Sequence, residues 1–182
     1  MDINDSNIYD AIALWYNDKQ QAINTYGQIS NWDVSNVTNM QELFAYLTDF
    51  NENLSKWDVS NVTNMFSMFY NATSFNGDIS TWNVSNTECM TYMFYGTRSF
   101  NQDITNWNVQ RVHSMHHMFK KVVFCIDISN WDISSLDYGR YEIKKMKKKC
   151  IKRKKHILMI QSIWRQKTNN SYEITDIINQ FV

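Results

Sequence analysis

Apolar residues return at a fixed interval along most of the chain. Trp32, Trp57, Trp82, Trp107 and Trp131 are separated by 25, 25, 25 and 24 residues. Between two tryptophans the apolar positions are Trp57, Val59, Val62, Met65, Met68, Phe69, Ala72, Phe75 and Ile79. The preceding unit repeats them as Trp32, Val34, Val37, Met40, Leu43, Phe44, Leu47, Phe50 and Leu54. The third keeps Trp82, Val84, Met90, Met93, Phe94, Phe100 and Ile104. The fourth keeps Trp107, Val109, Val112, Met115, Met118 and Phe119, then loses one residue before Phe124 and Ile128; the fifth fades after Ile133 and Leu136. Four full units and one partial unit of this kind mark a stacked repeat, because none can bury its apolar face alone.

The spacing within a unit predicts its elements. Alternation around Ile79–Val84 predicts a short strand. Val62, Met65, Met68, Phe69 and Ala72 follow a helical stripe, and the Asn76-Gly77-Asp78 turn leads to the next strand. A strand, a helix and a turn in 25 residues predict an α/β, leucine-rich-repeat-like solenoid with a parallel ladder of short strands, a period of about 20–29 residues being typical of that class. Propeller blades and helical-hairpin repeats need longer units, roughly 33–47 residues.

At W-D-V-S-N-V-T-N-M-x-x-M-F and F-N-x-D-I-S the chain strongly resembles the BspA-like leucine-rich-repeat family, over roughly residues 27–136, and residues 6–26 look like that family's N-terminal lead-in. The resemblance implies a right-handed solenoid and a role in adhesion or protein–protein binding, with no catalysis. Members occur on bacterial surfaces, in protists and in large DNA viruses. Many surface members carry a secretion or lipoprotein signal; Met-Asp-Ile-Asn-Asp at this N-terminus has neither the basic nor the apolar region of one. No run approaches the ~18 apolar residues of a membrane span. A cytoplasmic or intracellular location is therefore expected, surface exposure following from the resemblance alone.

The ends depart from the repeat. Residues 1–27 read as an N-terminal helical cap: Ser6 as N-cap to a helix bearing Ile8, Ala11, Ile12 and Trp15, then a second helix bearing Ala22, Ile23 and Tyr26 that ends at Gly27. The repeats occupy 28–138. Residues 139–182 read as a basic helical segment, with Ile143, Met146, Cys150, Ile157, Ile160 and Trp164 on one face. Net charge is zero, yet residues 1–139 carry 6 Lys/Arg against 15 Asp/Glu and residues 140–182 carry 12 against 3. Three readings of this tail follow: a cap on an acidic body; an element that binds nucleic acid or an anionic membrane through Lys144, Lys145, Lys148, Lys149, Lys152 and Arg153; or lysine-rich text produced by a frameshift.

Composition adds little chemistry. There is no proline and only four glycines, so the 22 asparagines are the expected turn-makers. Asn53, Asp78, Asp103 and Asp127 share one offset and are expected to accept amides of their own turns rather than to act as acids or calcium ligands. His113, His116 and His117, with Cys125 nearby, are expected to be solvated helix-face residues rather than metal ligands. Four of the five sequons at Asn36, Asn53, Asn61, Asn71 and Asn83 belong to the repeat, and Ser35, Ser60 and Ser85 with Asn36, Asn61 and Asn86 suit ladders across adjacent units. Cys89, Cys125 and Cys150 are odd in number and lack C-x-x-C spacing, which fits reduced thiols. With no phosphate, nucleotide or nucleophile motif, no cofactor and no small-molecule substrate are expected. The expected function is a non-catalytic scaffold binding a protein through Asp33, Asp58, Asn83, Asn108 and Asp132, flanked by Thr81 and Asn106, over a core of Trp32, Trp57, Trp82, Trp107, Trp131, Met40, Met65, Met90 and Met115.

Overall fold

The computed structural model describes residues 2–123 and 126–167, with side chains as far as Ser162. Phe124, Cys125, the side chain of Trp164 and the tail segment 168–182 lie outside the described residues.

Two helices precede the repeats. Helix α1 (Ile8–Asn17) buries Ile8, Ala11, Ile12 and Trp15. Asn7, not Ser6, stands at its N-cap position, and the Asn4 carbonyl accepts the Asn7 and Ile8 amides. Helix α2 (Lys19–Tyr26) begins at Asp18, whose carboxylate accepts the Gln21 amide, and ends at Gly27. Asp5 ties this cap to the first repeat by accepting the amides of Thr38 and Asn39 and the Thr38 hydroxyl.

The repeats are not the expected α/β solenoid. Among the described residues there is no β-strand, and the only helical piece between Gly27 and Gly139 is a single 3-10 turn at Ile29–Asn31. The leucine-rich-repeat-like architecture with its parallel strand ladder and short helices is thus replaced by coils made of successive turns. The predicted helix over Val62–Ala72 shows how. In a helix every amide points four residues back. Here Met65, Ser67, Phe69 and Asn71 donate instead to the carbonyls of Cys89, Thr91, Met93 and Tyr95 in the next unit, at 2.8–2.9 Å. The intervening Met68, Tyr70 and Ala72 donate three residues back, to Met65, Ser67 and Phe69. Such a chain of turns puts side chains on one side at three- and four-residue spacing, and so mimics a helical stripe.

The predicted strand fails for a related reason. Around Ile79–Val84 the chain makes consecutive turns: Asp78 accepts the Ser80 amide, Ile79 the Trp82 amide and Asn83 the Ser85 amide. Among the described residues parallel pairing takes the form of isolated bridges: Asn4–Asn36 at the N-terminal cap, then Asn39–Asn64–Cys89–Ser114–Tyr138, one residue per unit, just before each core methionine of the first four units.

Packing between units is dense. Trp32 and Trp57 stack at 6.3 Å, as do Trp82 with Trp107 and Trp107 with Trp131. Each indole is also a tie, since Trp57, Trp82, Trp107 and Trp131 donate to the carbonyls of Ile29, Leu54, Ile79 and Ile104. Phe44, Phe69, Phe94 and Phe119 form a second column with centroids 5.2–5.8 Å apart. Trp32, Trp57, Trp82, Trp107 and Trp131 are buried, and Met40, Met65, Met90 and Met115 completely so, whereas Leu47, Phe119 and Ile133 are half-buried. Asn61 and Asn86 donate their side-chain amides to the carbonyls of Ser35 and Ser60, one unit back.

The coil needs left-handed backbone at two places per unit: Glu42 and Tyr46, Ser67 and Asn71, Tyr92 and Gly96, His117 and Lys121. A residue bearing a β-carbon pays about 1–2 kcal/mol there. Gly96 avoids that cost, and a β-carbon on it would meet the Asn71 Oδ1 at 2.1 Å. Gly96→Ala is expected to destabilise the protein by about 1–3 kcal/mol, read as a lower urea midpoint at unchanged slope.

Candidate functional site

The same backbone places four positions per unit side by side at neighbouring offsets, exposed or half-buried except at Ser67, Thr91 and Gly96. In register these are Gln41, Phe66, Thr91 and His116; Glu42, Ser67, Tyr92 and His117; Ala45, Tyr70, Tyr95 and Lys120; Tyr46, Asn71, Gly96 and Lys121. They bring Tyr46, Tyr70 and Tyr95 into one row, Tyr46 tilted against Tyr70 at 5.2 Å and Tyr70 stacked on Tyr95 at 4.8 Å. Lys121 Nζ sits 4.9 Å over the Tyr95 ring, and its hydrogen bond holds the Tyr95 phenol below its ordinary pKa. Phe66 and Tyr92 meet edge to face alongside, at 6.0 Å. Glu42, Tyr46, Phe66, Tyr70, Tyr92 and Tyr95 line an open cleft of about 480 Å³. It is acidic at the Glu42 end and basic at Lys120 and Lys121. Tyr46 is 66% exposed.

The row expected from the sequence is differently employed. Asp33, Asp58, Asn83, Asn108 and Asp132 are exposed along one line, but each Oδ1 accepts the amide two residues on: Ser35, Ser60, Ser85, Gln110 and Ser134. Hydrogen bonds from Ser35 and Ser134 hold the Asp33 and Asp132 carboxyls below the usual range. Asn53, Asp78, Asp103 and Asp127 make the same turn with Ser55, Ser80, Thr105 and Ser129. Both rows form turns before they offer anything to a partner. The aromatic strip leaves little mark in the sequence because a helix would put its offsets on the solvent side, and because each unit fills them differently. The 25-residue interval between Tyr70 and Tyr95 was the available signal.

The basic segment forms helix α3 (Arg140–Lys167), docked on the last coils. Gly139, at φ +88°, lets the chain pass so close that a β-carbon would lie 2.6 Å from the Met115 carbonyl carbon. Ile143 and Cys150 are buried and Met146 half-buried against the core. Lys147 donates to the Trp131 carbonyl at 2.8 Å, and Lys154 pairs with Asp127. Glu142 completes an interrupted ladder. The Glu42, Ser67 and Tyr92 amides each donate to a carbonyl in the next unit, whereas the His117 amide donates to Glu142 Oε2 at 2.7 Å. The same carboxylate draws in two imidazoles, with Oε1 2.8 Å from His117 Nδ1 and 3.6 Å from His116 Nδ1. Thus His116 and His117 are not simply solvated helix-face residues. His113 lies apart, 3.7 Å from Asp137.

Of the proposed anion contacts, Lys144, Lys145, Lys148, Lys149 and Lys152 are exposed and Arg153 is half-buried. Past Lys154 the helix also exposes Leu158, Met159 and Ile160. Cys89 is a free thiol, but Cys150 is disulfide-bonded, against the expectation of reduced cysteines. No helix among the described residues is long and apolar enough to cross a membrane.

Fold and surface together define a tandem-repeat protein with helices packed at both ends of its coils. The chain belongs to the family described as "Mycoplasma protein of unknown function, DUF285", whose profile matches residues 12–131 and again 112–150. That places the BspA-like resemblance in a related repeat family, without the leucine-rich-repeat assignment. No curated protein and no solved structure matches the chain.

Proposed function

We propose that the protein is a non-catalytic scaffold that binds a protein partner across the aromatic strip of Tyr46, Tyr70 and Tyr95. One observation carries this: tyrosines from three successive units stand side by side at the surface, Tyr46 exposed and Tyr70 and Tyr95 half-buried, in ring contact with one another and mounted on a ladder of backbone hydrogen bonds. Stacked tyrosines lose little conformational entropy on binding and supply large amphipathic contacts, which is why they recur as interface anchors. An extended face with equivalent positions from several units is also how repeat proteins engage partners.

A photo-crosslinking residue at Tyr70 is expected to capture a partner from cells of the source organism, while one at Asp58 captures much less. Tyr46→Ala, Tyr70→Ala and Tyr95→Ala together are expected to weaken that interaction at least about 30-fold without unfolding the chain. Equal capture at both positions moves the interface to the aspartate row; a binding constant untouched by the triple substitution removes the proposal.

The basic helix supports a second reading, association with a polyanion, because Lys144, Lys145, Lys148, Lys149 and Lys152 remain exposed. Its mark would be binding that falls steeply with salt and is lost with those lysines rather than with the tyrosines. The family match into residue 150 and the specific docking through Glu142 and Lys147 both speak against a frameshift origin for this segment.

A further inference from the structure

We propose that His116, His117 and Glu142 form a binding site for a zinc-class divalent cation that fastens helix α3 to the fourth unit. The left-handed backbone of His117 (φ 54°) sends two consecutive imidazoles to the same side, where they stack at 3.8 Å. Both Nδ1 atoms approach a single carboxylate oxygen, and the three donor atoms lie within 4.8 Å of one another. Donors in a tetrahedral zinc site, at bond lengths of roughly 2.0–2.1 Å, stand about 3.3 Å apart. Small side-chain rotations therefore bring the donors to ligating distance. The second carboxylate oxygen is already held by the His117 amide, the kind of outer hydrogen bond that orients a ligating carboxylate.

The donor set chooses the cation. Two imidazoles and one carboxylate suit zinc, nickel or copper, whereas magnesium and calcium prefer all-oxygen shells. Side-chain exposures of 46% for His116 and 24% for His117 leave remaining coordination positions to water. On binding, each imidazole ligates through Nδ1 with its one hydrogen on Nε2, any second proton leaving to solvent, and exposed Lys120, 3.4 Å from His117 Nε2, turns away from that N–H. The ligands come from the fourth unit and from α3, so the bound state resists separation of the helix from the coils.

The full chain, stripped with a chelator, is titrated with zinc chloride and its thermal unfolding followed. Saturation at one equivalent with a rise of about 5 °C or more is expected. The rise persists in His113→Ala and disappears in both His116→Ala and Glu142→Gln. The glutamine keeps an acceptor for the His117 amide, and His116 is exposed enough that its truncation leaves the fold intact. Cobalt substitution is expected to give weak visible d–d bands without thiolate charge transfer. No zinc-dependent shift in the wild type, a shift retained in both variants, or thiolate bands from Cys89 would each overturn the site.

Discussion

Trp82→Ala is expected to lower stability by about 5 kcal/mol, close to the whole margin of a small domain. Truncating a buried tryptophan costs about 3–5 kcal/mol through lost transfer energy and the cavity left behind. Trp82 is 4% exposed and stacks on Trp107, so neighbours from the adjoining unit lose contacts as well. The Leu54 carbonyl loses the indole N–H that reaches it at 3.0 Å, and an unsatisfied buried acceptor costs about 1–3 kcal/mol. Phenylalanine separates the two contributions. Trp82→Phe keeps a stacked ring but not the donor, and its loss should be about 1–3 kcal/mol. Urea denaturation followed by circular dichroism reads both. A Trp82→Ala protein that kept its midpoint would mean that the tryptophan column is not what joins the units.

Much of this core was legible because burial is written in side chains. Val59, Met65, Phe69, Phe75 and Ile79 are apolar at the same offsets in almost every unit, and all are buried. The backbone path was not legible, because an amide that bonds to the next unit leaves no mark on the side chain that accompanies it. The left-handed positions gave little warning either: Glu42, Tyr46, Ser67, Tyr92, His117 and Lys121 are not residues that advertise such geometry, and only Asn71 and Gly96 are. Spacings of three and one then suited a helix as well as a string of turns, and the helix was the more familiar solution.

The site was hidden by the same error. On a helix the outer offsets face solvent, and there Tyr70 and Tyr95 have no reason to meet Tyr46, nor His117 to meet Glu142. The docking of α3 was partly visible, since Ile143, Met146 and Cys150 fall at helical spacing. Its decisive contacts were not, because Gly139 and Glu142 act on the backbone of the fourth unit. Glu142 lies 25 residues after His117, and its carboxylate accepts the amide that earlier units give to a carbonyl 24 residues on.

That substitution sets the last expected result. A chain ending at Asp137 is expected to lose cooperative unfolding or to melt at least about 10 °C lower. It lacks Tyr138, whose carbonyl accepts the Met115 amide at 3.1 Å, and Glu142, which accepts that of His117. It also uncovers the apolar surface against which Ile143, Met146 and Cys150 pack, and each aliphatic side chain returned to water costs about 1.5–3 kcal/mol. Terminal units of a stacked repeat have no neighbour to share that loss. A chain ending at Lys155 retains every one of these contacts and removes the stretch where Leu158, Met159 and Ile160 are exposed. It is expected to melt within about 3 °C of the full chain. Thermal unfolding of the two truncations side by side therefore divides the basic helix into a capping part and a part free for other use. If the Asp137 chain melts as the full chain does, the coils close themselves and the lysines of α3 become functional rather than structural. If the Lys155 chain also collapses, stability resides in the terminal residues beyond the docked turns.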